Sequence, residues 1–353
     1  MRICRKRTLA FGLSLVLLVS FLGCFAACAP QYREYTVQWF DYFDTLTVIK
    51  GYAKSEEEFD AVAERIRGEL AEYHRLYDIY HTYEGMNNLA TVNSLSDGVH
   101  TVTAVDRRII DLLLFSRILE QQTGGRMNVG MGAILSLWHD CRTAGLAAPA
   151  EAKIPTAEAL SEAAEHCDLS AMILDENENT VFLADPRMTL DVGAIAKGYA
   201  VECIAQMLEQ EGITGYLINV GGNVRTVGTK PNGDAWSVAV ESPDGSGYAA
   251  HLSLAGQSLV TSGSYQRFYT VDGVAYHHII DPATRMPASY VSSVSVLADS
   301  SALADALSTA LFCMSYEEGA ALVASYSDVG VLWILPDGEQ RMNDAFRAHF
   351  ANT

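Results

Sequence analysis

Apolar residues recur at helical spacing through Ser55–Tyr83, where Phe59, Val62, Ile66, Leu70, Tyr73 and Leu76 fall on one face. A segment with this period buries one stripe of a helix. The same spacing predicts helices over Ala104–Gln122, Met131–Trp138, Ser301–Met314 and Tyr316–Tyr326. The Ala-, Glu- and Pro-rich stretch Thr143–Ala164 reads as an exposed loop and helix. β-branched and aromatic runs predict strands instead, beginning with Tyr35–Ile49. Met172–Leu174 and Val181–Leu183 flank the polar turn Asp175-Glu176-Asn177-Glu178-Asn179, a hairpin pattern. Further strands are expected at Gly215–Val220, Trp236–Glu241, His251–Leu254, Phe268–Val271, Tyr276–Ile280, Ser292–Leu297 and Val329–Leu335, the last of them. Helices and strands do not alternate, and several strands are joined by hairpin-length loops. This favours an α+β fold: one compact domain whose mixed, largely antiparallel sheet is flanked by helices.

The beginning of the chain has a different texture. Arg2, Arg5, Lys6 and Arg7 are followed by Leu9–Cys28, which is apolar or small throughout. This is a targeting segment, to be left out of the fold. Phe25-Ala26-Ala27-Cys28 has the small residues before a cysteine that mark bacterial lipoprotein processing, and Phe21-Leu22-Gly23-Cys24 is a poorer second candidate. The expected organisation is a leader over 1–27, a lipid-anchored tether over 28–34 beginning at Cys28, and a domain over 35–353. Either cleavage or retention as an uncleaved helix puts the globular part on the extracytoplasmic face of the cell membrane.

The whole chain carries a net charge of −19. The leader holds basic residues and no acids, so the remainder is more acidic still. Such a surface repels phosphate backbones and argues against nucleic acid as a partner. An anionic substrate must then be held by local donors and a cation. Cys141, Cys167, Cys203 and Cys313 have no metal-like spacing.

Three segments carry candidate chemistry. Leu190-Asp191-Val192-Gly193-Ala194-Ile195-Ala196-Lys197-Gly198-Tyr199-Ala200 follows the strand-like Met188-Thr189-Leu190 and opens a helix that stops at Gly212. A helix start offers unpaired N–H groups to an anion, and Lys197 adds a full charge. An ordinary capped helix start explains the same residues, so the segment becomes a site only if others converge on it. In Ser301–Leu311, Asp305 and Thr309 share a helix face, with Ser308 beside them. That helix is otherwise nearly all Ala and Leu, so the carboxylate needs a partner. A hard cation with oxygen ligands and a neighbouring hydrogen-bond donor are both open. In Tyr276-His277-His278-Ile279-Ile280 the two histidines would point to opposite faces of a strand, so at most one serves a given site. Glycine-bearing turns at Asn219–Asn223 and Thr261–Tyr265 allow close backbone approach. Neither Gly-x-Gly-x-x-Gly nor a triphosphate-binding Gly/Lys loop is present.

In this order and spacing, Leu190–Ala200, Ile218–Asn223, Leu259–Tyr265, His277–Pro287 and Ala304–Leu311 resemble the ApbE family, the FAD:protein FMN transferases. Weaker matches lie at Phe43-Asp44-Thr45, Asp78-Ile79-Tyr80, Arg126–Gly132 and Leu137-Trp138. The resemblance implies an enzyme that takes FAD, binds Mg2+ and passes FMN to a Thr or Ser hydroxyl of an acceptor redox protein with a Ser/Thr-Gly-Ala-Thr-like motif, releasing AMP. It implies Mg2+ ligation by Asp305, Thr309 and the Ala194 carbonyl, with Ser308 assisting. FAD contacts are implied for Phe43, Tyr80, Arg126, Met127, Asn128, Asp191, Lys197 and Ile280. His278 is the expected base, ahead of His277. One departure is Met127-Asn128-Val129, where family members commonly carry a Phe-Asp-Pro-like segment. Two other activities fit the same residues: a Mg2+-dependent FAD pyrophosphatase giving FMN and AMP, and a non-enzymatic flavin-binding lipoprotein.

Overall fold

The computed structural model describes residues 31–95, 98–265 and 267–351. The leader, Cys24 and Cys28 lie outside the described residues. Within those residues no helix is long and apolar enough to cross a membrane.

An eight-stranded sheet organises the domain. Its strands run, in spatial order, Arg33–Trp39, Thr47–Ala53, Tyr216–Val220, Asn223–Val227, Ser258–Gly263, Ser293–Ala298, Gly330–Ile334 and Gln340–Met342. Every pairing in it is antiparallel, so the expected mixed character is absent among the described residues. The predicted Tyr35–Ile49 strand is two strands, broken where Phe43 and Asp44 take left-handed backbone conformations (φ 56° and 49°). Arg33 and Glu34 already pair with Ala53 and Tyr52, so the sheet starts inside the stretch expected to be tether.

Three helices cover one face of the sheet: Glu56–Tyr77, Ala196–Gln210 and Ser301–Phe312. The first is set by its stripe of Phe59, Ile66, Leu70, Tyr73 and Leu76, all buried, and by Ser55, whose side chain accepts from the Glu58 N–H. Ser301–Phe312 is buried almost all round, as its Ala/Leu composition requires. The opposite face packs on the hairpin Trp236–Glu241/Tyr248–Leu254, where Trp236, Val238, Leu252 and Leu254 meet Leu217, Leu259, Leu297 and Leu332. A small three-stranded sheet (Thr103–Ala104, Thr180–Leu183, Met172–Asp175) joins the core through Met172, Val181 and Leu183, and the Gly132–Ala147 helix forms part of a cavity wall.

The turn read at Asn219–Asn223 leads into a strand, Asn223–Val227, the first half of the turn read at Thr261–Tyr265 belongs to the strand Ser258–Gly263, and Gln340–Met342 follows the expected last strand. Residues 188–190, read as strand-like, have no regular structure. Asn93 holds that stretch in place of a strand partner. Its side-chain oxygen accepts from the Leu190 N–H at 2.8 Å and its amide donates to the Leu190 carbonyl at 2.8 Å.

Candidate active site

A cavity of about 430 Å3 opens at the end of the helical layer, within the size range of small-molecule and cofactor sites. Phe43, Tyr80, Arg126, Met127, Asn128, Asp191, Ala194, Lys197, His278, Ile280, Asp305 and Thr309 all line it. The segments near residues 194 and 305 therefore meet.

Their meeting has a defined geometry. Asp305 is buried on the Ser301–Phe312 helix, and its Oδ2 accepts from the Gly198 N–H at 2.7 Å and the Asn223 amide at 3.0 Å. Gly198 lies in the first turn of the Ala196–Gln210 helix, whose N-cap Ile195 supplies no side-chain bond. Asp305 thus satisfies an orphan donor of that helix. A Cβ at Gly198 would overlap Asp305 Cβ and the Ser301 carbonyl, so only glycine permits this approach. Burial raises the Asp305 pKa, opposed by Lys197, the Gly198 N–H and Asn223. Burial likewise raises that of Asp191, opposed by Gly193, His139 and Lys197. Asp191 accepts from the Gly193 N–H at 2.8 Å, and its own N–H donates to the Val129 carbonyl at 2.8 Å.

The donor set suits Mg2+. Both protein donors to Asp305 fall on Oδ2, leaving Oδ1 for a cation. Thr309 follows one helical turn later on the cavity wall. Ala196 donates to the Val192 carbonyl and Tyr199 to the Ile195 carbonyl, while the Gly198 N–H that would reach Ala194 goes to Asp305, so the Ala194 carbonyl between them is left out of the ladder. One carboxylate, a hydroxyl and a carbonyl match Mg2+, which keeps waters and takes substrate phosphate oxygens rather than an all-protein cage. No group of three His, Cys, Asp or Glu side chains placed to hold a metal occurs among the described residues.

Ser308 departs from expectation. It is fully buried and does not line the cavity; its hydroxyl donates to the Asp305 carbonyl at 2.9 Å and contacts Ser262 Oγ at 2.9 Å. As position i+3 it points toward the sheet, where Thr309 at i+4 does not. Asn128 also has its amide committed, accepting from Gly130 at 2.7 Å and donating to the Cys167 carbonyl at 3.0 Å. This caps a short 3-10 turn and leaves the side chain little capacity for flavin.

Arg126 lines the cavity, but its guanidinium is tied into the wall. It donates to Asp281 Oδ1 at 2.9 Å, to the Cys313 carbonyl at 3.0 Å and to Glu318 at 3.3 Å. Asp281 is completely buried, so Arg126→Met, which strands that carboxylate, is expected to destabilise the fold by about 3 kcal/mol. Denaturant titration reads this directly; a loss under about 1 kcal/mol would contradict a bracing role.

The histidines separate as the strand ends. His277, the last residue of Val274–His277, contacts the Ala288 carbonyl through Nε2 at 2.8 Å and accepts from the Ile279 N–H through Nδ1 at 3.2 Å. Both nitrogens are occupied. His278 contacts the Arg267 carbonyl through Nδ1 at 3.3 Å, which puts the proton on Nδ1 and leaves Nε2 as the basic nitrogen. Enclosure by the cavity wall, then the charges of Arg267 and Lys197, push its pKa down, to about 3. The ring keeps a solvent-exposed edge that moderates this. The imidazole is therefore neutral at pH 7.

His139 and Arg267 line the cavity outside the segments the sequence singled out, and they brace residues within them. Tyr80 is held at the mouth by Asp78, which accepts from the Tyr80 and His81 N–H groups at 2.7 and 3.1 Å and from Tyr83 OH at 2.8 Å. Tyr80 in turn packs against His139 with ring centroids 5.3 Å apart. Gly221, at φ 58°, lies where a Cβ would overlap Thr45. Arg267 donates to the Asp44 carbonyl at 2.9 Å, pinning the left-handed Phe43-Asp44 turn. Two adjacent non-glycine residues in the left-handed region make this turn a strained one, and such strain gathers at functional sites.

Comparison with known proteins places the chain in a family. The ApbE family model matches residues 43–333. The chain is 38% identical to an FAD:protein FMN transferase of Treponema pallidum over 270 residues, 72% of each chain. It is 31% identical to one from Klebsiella pneumoniae over 289 residues, covering 78% of this chain and 86% of the relative. The crystal structure of the ApbE protein of Thermotoga maritima superposes with a TM-score of 0.79 at 26% identity, covering 91% of this chain and all of that one. The Vibrio cholerae flavin transferase ApbE does so with a TM-score of 0.75 at 26% identity, over 91% of this chain and all of its own. With its cavity built from the same segments that carry the family's pattern, the chain belongs to the ApbE family.

Proposed function

We propose that this protein is an FAD:protein FMN transferase that moves the FMN moiety of FAD onto a Thr or Ser hydroxyl of an acceptor redox protein. The observation that carries this reading is the convergence on one cavity of Asp305 and Thr309, Lys197, and the neutral imidazole of His278. The acceptor oxygen attacks the FMN-side phosphorus, the bond from that phosphorus to the bridging oxygen breaks, and AMP leaves with the bridging oxygen. His278 Nε2 takes the proton of the attacking hydroxyl. Lys197 places positive charge beside the diphosphate. Phe43, Tyr80, Met127 and Ile280 offer apolar surface to the rings, while Asp191 accepts a hydrogen bond from base or sugar. Asp305, Thr309 and the Ala194 carbonyl would hold Mg2+, which when bound neutralises charge on the diphosphate.

The test is mass spectrometry of a protein bearing a Ser/Thr-Gly-Ala-Thr-like motif after incubation with FAD and Mg2+, beside AMP measured with and without it. FMN attached to the acceptor is expected. AMP released equally fast without acceptor, with nothing attached, would make the enzyme a pyrophosphatase; tight FAD binding without AMP would make it a flavin carrier.

A pH profile tests the base. Because His278 has its pKa lowered, Nε2 remains available well below the ordinary imidazole value of about 6.5. The acid limb of transfer is therefore expected below pH 6; a limb centred at 6.5 or above contradicts the assignment. From the leader and Cys28 we further propose a lipid anchor on the extracytoplasmic face, in which case Cys28→Ser releases the protein from the membrane fraction.

A further inference from the structure

The two helices that carry Lys197 and Asp305 are joined by more than the contact at the cavity. Gly198 faces Asp305, and one turn deeper Glu202 faces Ser301 in the reverse order, so the helices run antiparallel here. At the first rung, the carboxylate of Asp305 accepts the Gly198 N–H. At the second, Glu202 Oε2 accepts the Ser301 N–H at 2.7 Å. Gly198 and Ser301 both lie in the opening turn of their helix, where backbone donors have no intrahelical acceptor. Ser300, the N-cap of the second helix, serves Leu303 instead. Each helix thus supplies the carboxylate that caps the other.

The Asn223–Val227 strand grips both rungs. Asn223 donates to Asp305, and Arg225, two residues along and on the same face, reaches Glu202 Oε2 at 3.4 Å. Spacings agree: four helical residues rise about 6 Å, and two strand residues advance about 6.6 Å. Gln206 donates to Glu202 Oε1 at 2.9 Å, and Glu209 accepts from Arg225 at 3.0 Å. Glu202 and Arg225 are buried and neither lines the cavity.

We propose that Glu202, held by Arg225, is a positioning residue for the metal-binding carboxylate: its bond to the Ser301 N–H fixes the register that aims Asp305 Oδ1 into the cavity. This rests on the transferase reading for the identity of the bound cation. Glu202 needs reach more than charge for this role. Three variants separate the two. E202A loses both, E202D keeps the charge but is one methylene short of Ser301, and E202Q keeps the reach without the charge.

The experiment is Mn2+ binding by electron paramagnetic resonance of the free ion, with ADP present as a diphosphate probe, beside binding of FAD without metal. E202A and E202D are expected to weaken Mn2+ about 10–100-fold, as outer-shell partners of metal ligands do, with metal-free FAD affinity within threefold of wild type. E202Q is expected within threefold of wild type for both. E202D with wild-type Mn2+ affinity overturns the proposal, as does E202Q as weak as E202D. Should E202A not fold, E202D and E202Q decide. A purely structural role would lower melting temperature and leave the metal affinity of folded protein unchanged, which also overturns it. Wild-type enzyme that neither binds Mn2+ nor releases AMP from FAD would instead remove the transferase reading.

Discussion

Asp305→Ala is expected to lower both AMP release and FMN attachment by about 10²–10³-fold, the usual cost of losing a principal charge-stabilising group. The reason is local scarcity. The carboxylate is the one acidic group among the proposed cation ligands, alongside the Thr309 hydroxyl and the Ala194 carbonyl. Alanine also removes the acceptor of the Gly198 N–H, and an unsatisfied buried donor costs about 1–3 kcal/mol. Asp305→Asn separates these effects, because an amide oxygen can still accept from Gly198 while bringing no charge. We expect its melting temperature near wild type and its turnover reduced almost as much as in the alanine variant. Turnover in Asp305→Asn within tenfold of wild type would remove Asp305 from the metal site.

Gly198→Ala is the second large effect. Alanine favours a helix by about 1 kcal/mol over glycine, but here the added methyl would enter Asp305 Cβ and the Ser301 carbonyl. Neither is the free end of a flexible side chain, so the helices must part. Overpacking of this kind costs about 1–3 kcal/mol, and it displaces the very carboxylate the chemistry uses. A shift near 1 Å at a reacting centre can cost about 10²-fold in rate. Thermal unfolding and turnover, measured together, should both fall. A variant more stable than wild type with full activity would show that the close approach is dispensable.

The long amphipathic and apolar helices were legible because their period is imposed by one buried face or by burial all round. Phe59 to Leu76 and Ala302 to Leu311 appear in the core as their spacing required. The site's parts were legible through the family pattern rather than through periodicity. Lys197, Asp305, Thr309 and His278 sit in short segments whose local chemistry alone fits an ordinary cap or an ordinary buried polar group. What could not be read was which hydroxyl faces inward and which polar side chains are already engaged. Ser308 and Thr309 are neighbours, yet only the fold reveals that Ser262 waits opposite the first. Asn128 and Arg126 look available in sequence because Cys167, Asp281 and Cys313, which occupy them, come from far along the chain. Asn93 and Glu202 carry no motif of their own, since their role is to hold backbone that others use.

The bonds that close this cavity join residues separated by 82, 107, 155 and 223 positions. No short fragment of the chain carries all of its walls, which run from Phe43 to Thr309, so a dinucleotide that binds there recognises the folded protein and not the unfolded chain. Binding at a hundred times its dissociation constant would add about 2.7 kcal/mol to the native state. Flavin supply would then govern not only how fast this enzyme works but how long each copy survives proteolysis.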